Sequence, residues 1–430
     1  KVSTMRTTLF ALTLYTLSGV AGNSVQAESL RISSPERQGM SSERLERVTA
    51  LTQRYVDEGK LAGVITMINR GGKIVHTSVV GNRGADDKRP LELDHLFRIY
   101  SMTKPITAVA AMQLYEQGHF FLADPVSKYV PELKDVQVMN EDGELVAPTR
   151  PMTMRDLLSH TAGLSYGFNP QDPVDKLYRE AKIFEAKDLT EFAEIVGKLP
   201  LRYQPGERWH YSVAVDITGL VIERLSGMSF DAYLKKHIFT PLEMEDTFFS
   251  VPEDKKDRFL PNHYWDAKEK QLKTMATENA LTRYDKVTLF SGGGGLVSTT
   301  SDYMKFAEML RNGGRSGKHQ IISPKTLKFM TKNHLPKGSI SGSGEQPMNQ
   351  ALRGVGFGLG FGVLLDPVAT QTLGSRGSFT WGGAAGTIFW VDPVEDIVVI
   401  GMIQLMGSPW PLRQELQIQT YQTLLETNEE

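Results

Sequence analysis

Apolar residues recur with strand period at both ends of this chain and with helical period between them, and this arrangement constrains the fold most. Residues 64–68 and 74–80 are β-rich runs joined by Asn69-Arg70-Gly71-Gly72, turn chemistry that predicts a hairpin. Near the other end, 355–365 alternates with glycine and predicts a strand, while 387–391 and 397–403 flank a turn at Asp392-Pro393. Between these ends, 154–160, 189–199, 213–225 and 302–312 carry helical spacing. Helices are also expected over 41–60, with Ser41 or Ser42 as cap and Leu45, Val48, Leu51 and Tyr55 on one face, and over 411–425. The expected fold class is α/β, an antiparallel sheet flanked by helices and built from both chain ends, with an inserted all-helical lobe. Residues 28–125 and 285–430 would form the α/β domain and 126–284 the helical domain. No internal repeat is visible.

Composition narrows the function classes. A chain of 430 residues, 40% hydrophobic and 23% charged, is that of an ordinary globular protein. A net charge of -2 gives no reason to expect nucleic acid or an anionic membrane as partner. The absence of cysteine excludes disulfides, thiolate catalysis and cysteine-ligated metals. The nine histidines show no ligand spacing, so no metal and no cofactor is expected. Arg6 after Met5, an apolar run over 9–20 and Val25-Gln26-Ala27 read as an export signal over 1–27. The protein is then expected to be periplasmic or secreted, and otherwise cytoplasmic. No stretch has the roughly 20 apolar residues of a membrane span.

Ser101-Met102-Thr103-Lys104 precedes the helical run 106–116, with Pro105 where a first helical turn tolerates it. Serine and lysine three apart share a helix face, so the hydroxyl lies beside the amine. The positive helix terminus there favours developing negative charge. Alone this spacing is weak, since a capping serine beside a solvated lysine looks the same. Three later segments strengthen it: Leu157-Leu158-Ser159-His160-Thr161-Ala162-Gly163-Leu164, then Gln204-Pro205-Gly206-Glu207-Arg208-Trp209-His210-Tyr211-Ser212, then Ser291-Gly292-Gly293-Gly294-Gly295-Leu296-Val297-Ser298.

In this order the set resembles the class C β-lactamases and their relatives, the penicillin-binding proteins and family VIII carboxylesterases. The resemblance spans roughly 45–403 and implies the β-lactamase-like fold, with the site between the α/β part and the helical lobe. It implies Ser101 as acylated nucleophile, Lys104 as its amine partner, and Tyr211 as the tyrosine of the Y-x-N motif. Trp381-Gly382-Gly383 stands where the family has K-T-G, and the Ala384 N–H with that of Ser101 would form the oxyanion hole. Whether Lys104 or Tyr211 is the general base stays open on sequence alone.

Two departures point away from β-lactams and peptides. Val213 replaces the asparagine of Y-x-N, and Trp381 replaces the lysine that would hold a substrate carboxylate. Trp381, Gly382, Gly383 and Val213 are therefore read as walls for an uncharged ester, with Tyr166 and Phe168 as further cleft residues. The resemblance to family VIII implies hydrolysis of short-chain carboxylic esters, with weak cephalosporin hydrolysis in some members. The alternatives are a class C-like β-lactamase or D-Ala-D-Ala carboxypeptidase, and a non-catalytic binding member of the fold. Gly163-Leu164-Ser165-Tyr166-Gly167 matches the hydrolase pentapeptide G-x-S-x-G but follows a helical run, so Ser165 is not read as a nucleophile. His160 and Gly163 are read as a structural turn supporting the site, and Trp209 as core or wall. Segments 134–148 and 340–349 are expected to rim the cleft.

Overall fold

The hairpin near the N-terminus forms around its two glycines. In the computed structural model, which describes residues 30–276, 284–336 and 354–428, strand β1 (Arg31–Ile32) precedes helix α1 (Ser42–Asp57). Ser41 caps α1, its side chain accepting from the Arg44 N–H at 3.2 Å. Strand β2 (Gly63–Arg70) then returns as β3 (Lys73–Gly81) through Gly71 and Gly72, at φ 60° and 73°. Two left-handed residues give the loop a twist that matches its flanking strands.

Helices follow: α2 (Thr103–Glu116), α3 (Met154–Leu158), α4 (Leu189–Val196), α5 (Ala214–Ser226) and α6 (Thr300–Arg311). The chain then adds β4 (Val355–Phe357), β5 (Gly362–Leu364), β6 (Phe379–Gly382), β7 (Ile388–Asp392), β8 (Ile397–Met402) and α7 (Leu412–Tyr421). One eight-stranded sheet results, in the order β1-β3-β2-β8-β7-β6-β5-β4, so the two chain ends meet where β2 pairs with β8. Every pairing is antiparallel except β1 with β3.

Period-two geometry explains the apolar run of β8. Val398, Ile400 and Met402 enter a large core with Ile65, Met67, Tyr303 and Phe306. Ile397 and Val399 face the opposite way, toward Val64, Ile68, Leu45, Val48 and Leu416. Helix α6 covers one face of the sheet, and α1 with α7 covers the other. A strand buried on both faces needs no polar alternation.

Helix α2 is buried from Thr103 to Leu114 and is the axis on which α5 packs. Its alanines admit close neighbours. A Cβ on Gly360 (φ 89°) would come 2.3 Å from that of Ala108. That approach corrects the reading of 355–365 as one strand: it is a hairpin, β4 and β5, whose turn is pressed onto α2. Within 126–284, expected to be all helical, strands His263–Asp266 and Gln271–Thr274 pair together, and the first also pairs with Leu405–Met406 beyond β8. Segment 134–148 contains a short ladder, Val138–Met139 with Leu145–Val146. The expected signal 1–27 and loop 340–349 lie outside the described residues. No described helix is long and apolar enough to cross a membrane.

Candidate active site

The site begins with a bend in the backbone. Tyr100 adopts φ 44°, a sterically costly value for a residue with a Cβ, and leads into a single 3-10 turn, Tyr100–Met102. That turn presents Ser101 and runs on into α2, where Lys104 is wholly buried. Lys104 Nζ donates to Ser101 Oγ at 3.2 Å, to the Tyr166 hydroxyl at 2.9 Å and to the Gly293 carbonyl at 2.6 Å. Three acceptors account for the three donors of an ammonium.

Behind Lys104 lies a second buried charge. Asp216, in the first turn of α5, accepts from Ser291 Oγ and from the Gly293 N–H (3.0 Å). Its other oxygen is 3.5 Å from the Tyr166 hydroxyl. Burial raises the Asp216 pKa, while the Lys104 charge and the bonds from Ser291 and Gly293 pull it back. Burial first, then Asp216 and Tyr211, push the Tyr166 phenol well above its ordinary value. Tyr166 therefore stays protonated, accepting from Lys104 and facing Asp216 with its own O–H.

Tyr211 meets Ser101 from the other side, its oxygen 2.6 Å from Oγ. The Trp381 indole N–H donates to that oxygen at 3.4 Å, and Lys104 Nζ sits 4.5 Å from the centroid of the phenol ring. Rings pack around it: His160 at 4.8 Å, Tyr166 at 5.2 Å, Trp381 at 5.5 Å and Trp209 at 6.0 Å between centroids. Strand β6 delivers Trp381 and Gly382, and Gly383 follows in a turn closed by Gly383 N–H to Thr387 O at 2.8 Å. A Cβ on Gly383 would lie 2.5 Å from the Ile99 carbonyl, so glycine allows this turn to press against the segment that carries Ser101. Ala384, next in the turn, is exposed, and its N–H has no partner among the described residues. An unpaired amide can stabilise an oxyanion that comes within its reach.

Ser101, Lys104, Tyr211, Trp381, Gly382 and Gly383 thus lie in one neighbourhood, with Ala384 next in the turn. Phe168, 65% exposed, stacks on Tyr166 at 4.7 Å and 12°. Tyr166 is more than a wall residue because it holds Lys104. Val213 is a correction. It is fully buried at the start of α5 and offers no surface to a substrate. Asp216, Ser291 and Gly293 went unassigned in the sequence, although an acid inside the apolar run Ala214–Ile222 was a legible signal.

Ser165 is buried and donates to Asp175, with His210 Nε2 at 3.2 Å. Its proton goes to the Asp175 carboxylate rather than to the imidazole, and none of the three is open to a substrate. His160, at φ 55°, is wholly buried and accepts from the Ser212 N–H at 3.3 Å. Burial first, then the Lys104 charge, holds its pKa well below 6.5, so it is a neutral packing partner of Tyr211. Among the described residues no cluster of three or more His, Asp or Glu is arranged to hold a metal ion.

Comparison with known proteins agrees with this architecture. The family model described as Beta-lactamase matches residues 48–421. Protein Rv1367c of Mycobacterium tuberculosis is 32% identical over 367 residues, covering 83% of this chain and 88% of the relative. Esterase EstB of Burkholderia gladioli is 28% identical over 368 residues, covering 80% and 86%. Among solved structures, EstCE1, described as a hydrolase with promiscuous acyltransferase activity, superposes with a TM-score of 0.74 at 26% identity, covering 88% of this chain and 97% of its own. With a match that runs from α1 to the end of α7, this chain belongs to the Beta-lactamase family.

Proposed function

We propose that the protein is a serine carboxylesterase that hydrolyses short-chain carboxylic esters through an acyl-enzyme on Ser101. The observation that carries this reading is Ser101 Oγ held between the Tyr211 oxygen (2.6 Å) and Lys104 Nζ (3.2 Å). With all three Lys104 donors engaged, the ammonium supplies charge and Tyr211 takes the proton. Ser101 Oγ attacks the ester carbonyl carbon as its proton passes to Tyr211 acting as the phenolate beside the Lys104 ammonium, and the carbonyl oxygen becomes an oxyanion bound by the amides of Ser101 and Ala384. Each such donor is worth about 2.7–4 kcal/mol. Collapse expels the alcohol, which takes the proton from Tyr211. Water then repeats the sequence, losing its proton to Tyr211, and Ser101 regains one as the carboxylic acid leaves.

The preference for esters over β-lactams rests on Trp381, which puts an indole where a lysine would hold a carboxylate. EstB, an esterase by name, and EstCE1, a hydrolase by title, support the hydrolase reading. Initial rates on a short-chain nitrophenyl ester and on a chromogenic cephalosporin, for the intact protein and for Ser101→Ala, test it. The ester should be cleaved far faster, and the variant should lose at least roughly 10³-fold on it. A faster cephalosporin reaction would make the protein a β-lactamase. A variant that keeps its ester activity would place the nucleophile elsewhere.

A further inference from the structure

Each of the two site tyrosines follows a buried polar residue in sequence. Tyr166, which accepts from Lys104, follows Ser165, and Tyr211, whose oxygen meets Ser101 Oγ, follows His210. Ser165 has one proton to give, and it goes to Asp175, so its oxygen accepts from His210, whose Nε2 lies 3.2 Å away. Burial lowers the His210 pKa while Asp175 opposes the shift, so that the ring is neutral, with its proton on Nε2. The other Asp175 oxygen accepts from the Asn169 N–H at 2.7 Å. Arg179, on the same helix Pro173–Glu180, donates to the Gly167 and Asn169 carbonyls at 2.8 and 2.9 Å. The loop that bears Tyr166 and Phe168 is thus closed at Ser165, the point where it meets the segment of Tyr211.

Backbone bonds from the His210 N–H to the His160 oxygen (2.8 Å) and from the Val213 N–H to the Ser165 oxygen (3.3 Å) already hold 210–213 in course. They do not call for three buried polar side chains, which cost free energy to bury where apolar residues could pack. What the bridge adds is rigidity between two rings. The Tyr166 and Tyr211 rings are 5.2 Å apart, and Lys104 Nζ sits 2.9 Å from the hydroxyl of the first and 4.5 Å from the ring centroid of the second. A displacement of about 1 Å at either ring would spoil that fit, and misplacement of this size costs up to about 10²-fold in rate.

We propose that Ser165 and His210, anchored by Asp175, are positioning residues for the hydrolysis, and that their bridge sets the spacing of Tyr166 and Tyr211 around Lys104. The inference rests on the esterase reading above, in which Tyr211 takes the proton of Ser101. It gives the serine of the G-x-S-x-G pentapeptide a task one residue removed from the chemistry.

The test measures kcat and KM for 4-nitrophenyl acetate in the intact protein, in Ser165→Ala, in His210→Leu, in the double variant and in His210→Gln, each well below its own Tm. Ser165→Ala and His210→Leu should each lower kcat roughly tenfold and change KM by less than about twofold. The double variant should lose no more than the larger single loss, since both substitutions remove the same bridge. His210→Gln, whose amide N–H can donate to Ser165 Oγ, should recover most of kcat. Single variants that melt earlier yet keep the parent's kcat overturn the proposal, because the bridge then serves stability alone. Losses that multiply in the double variant overturn it too, as does a His210→Gln as slow as His210→Leu. If Ser165→Ala does not fold, the two His210 variants decide by themselves. If the intact protein does not cleave the ester, the esterase reading itself has failed.

Discussion

The floor and the wall of the site are built on opposite principles. Beneath Ser101, Lys104, Tyr166, Asp216, Ser291 and Gly293 form a buried polar unit in which every Lys104 donor has an acceptor. Around Tyr211 the contacts are rings, and buried nitrogens such as Trp209 Nε1 and His160 Nε2 have no hydrogen-bond partner among the described residues. A satisfied network at low dielectric is rigid and fails as a whole when one member is lost. An aromatic wall tolerates exchange because its cohesion is spread over many weak contacts. Substitutions in the two regions should therefore differ in kind.

The largest effect should come from Lys104→Met, which fills the volume and removes the charge. Loss of the group that supports proton transfer should lower kcat/KM by about 10²–10⁴-fold. Urea unfolding should also show a loss, up to about 3–5 kcal/mol, because Asp216 is left buried without its cation. Activity within tenfold of the parent would show that the floor is not a unit. Asp216→Asn should cost less, since an amide still accepts from Gly293 N–H. Loss of charge-assisted bonds worth about 1.5–3 kcal/mol predicts a fall of roughly 10–100-fold, carried by kcat. A change confined to KM would assign Asp216 to the wall.

What could be read beforehand follows the same division. The hairpin of β2 and β3, the apolar run of β8 and the spacing of Ser101 and Lys104 are local, so period and turn chemistry reveal them. Lys104 and Gly293 are 189 positions apart, and only the packing of α2 against the glycine-rich loop joins them. No periodicity carries that information. Val213 shows the converse error: two residues after Tyr211 in sequence, it points into the core because α5 begins there. The glycines of 354–362 were legible as close approach, but Ala108, the partner they approach, was not.

His160 joins the two regions and predicts a pH effect smaller than those of Lys104 and Asp216. Its folded pKa is held below 6.5 by burial, whereas the unfolded chain takes up a proton near pH 6.5. Stability should be complete above about pH 6.5 and fall as pH drops toward the folded pKa, by up to about 1.4 kcal/mol per pH unit for this group. His160→Asn keeps an acceptor for Ser212 N–H and should lose less Tm between pH 7.5 and pH 5.5 than the parent does. Equal losses would assign the acid sensitivity to other buried histidines, among which His210 is shifted in the same direction.

The smallest effect should fall on the outermost ring. Phe168 stacks on Tyr166 and is 6.5 Å from Tyr211, yet it is largely solvent-exposed and makes no hydrogen bond to the floor through its side chain. An aromatic pair of this kind is worth about 0.5–1.5 kcal/mol. Phe168→Ala should therefore raise KM for a nitrophenyl ester by roughly 2–10-fold, with a much smaller change in kcat. A fall in kcat as large as that of Asp216→Asn would mean that stacking on Tyr166 tunes the Lys104 cradle. The boundary between floor and wall would then run through Tyr166 itself, the one ring that bonds Lys104 below and stacks with Phe168 above.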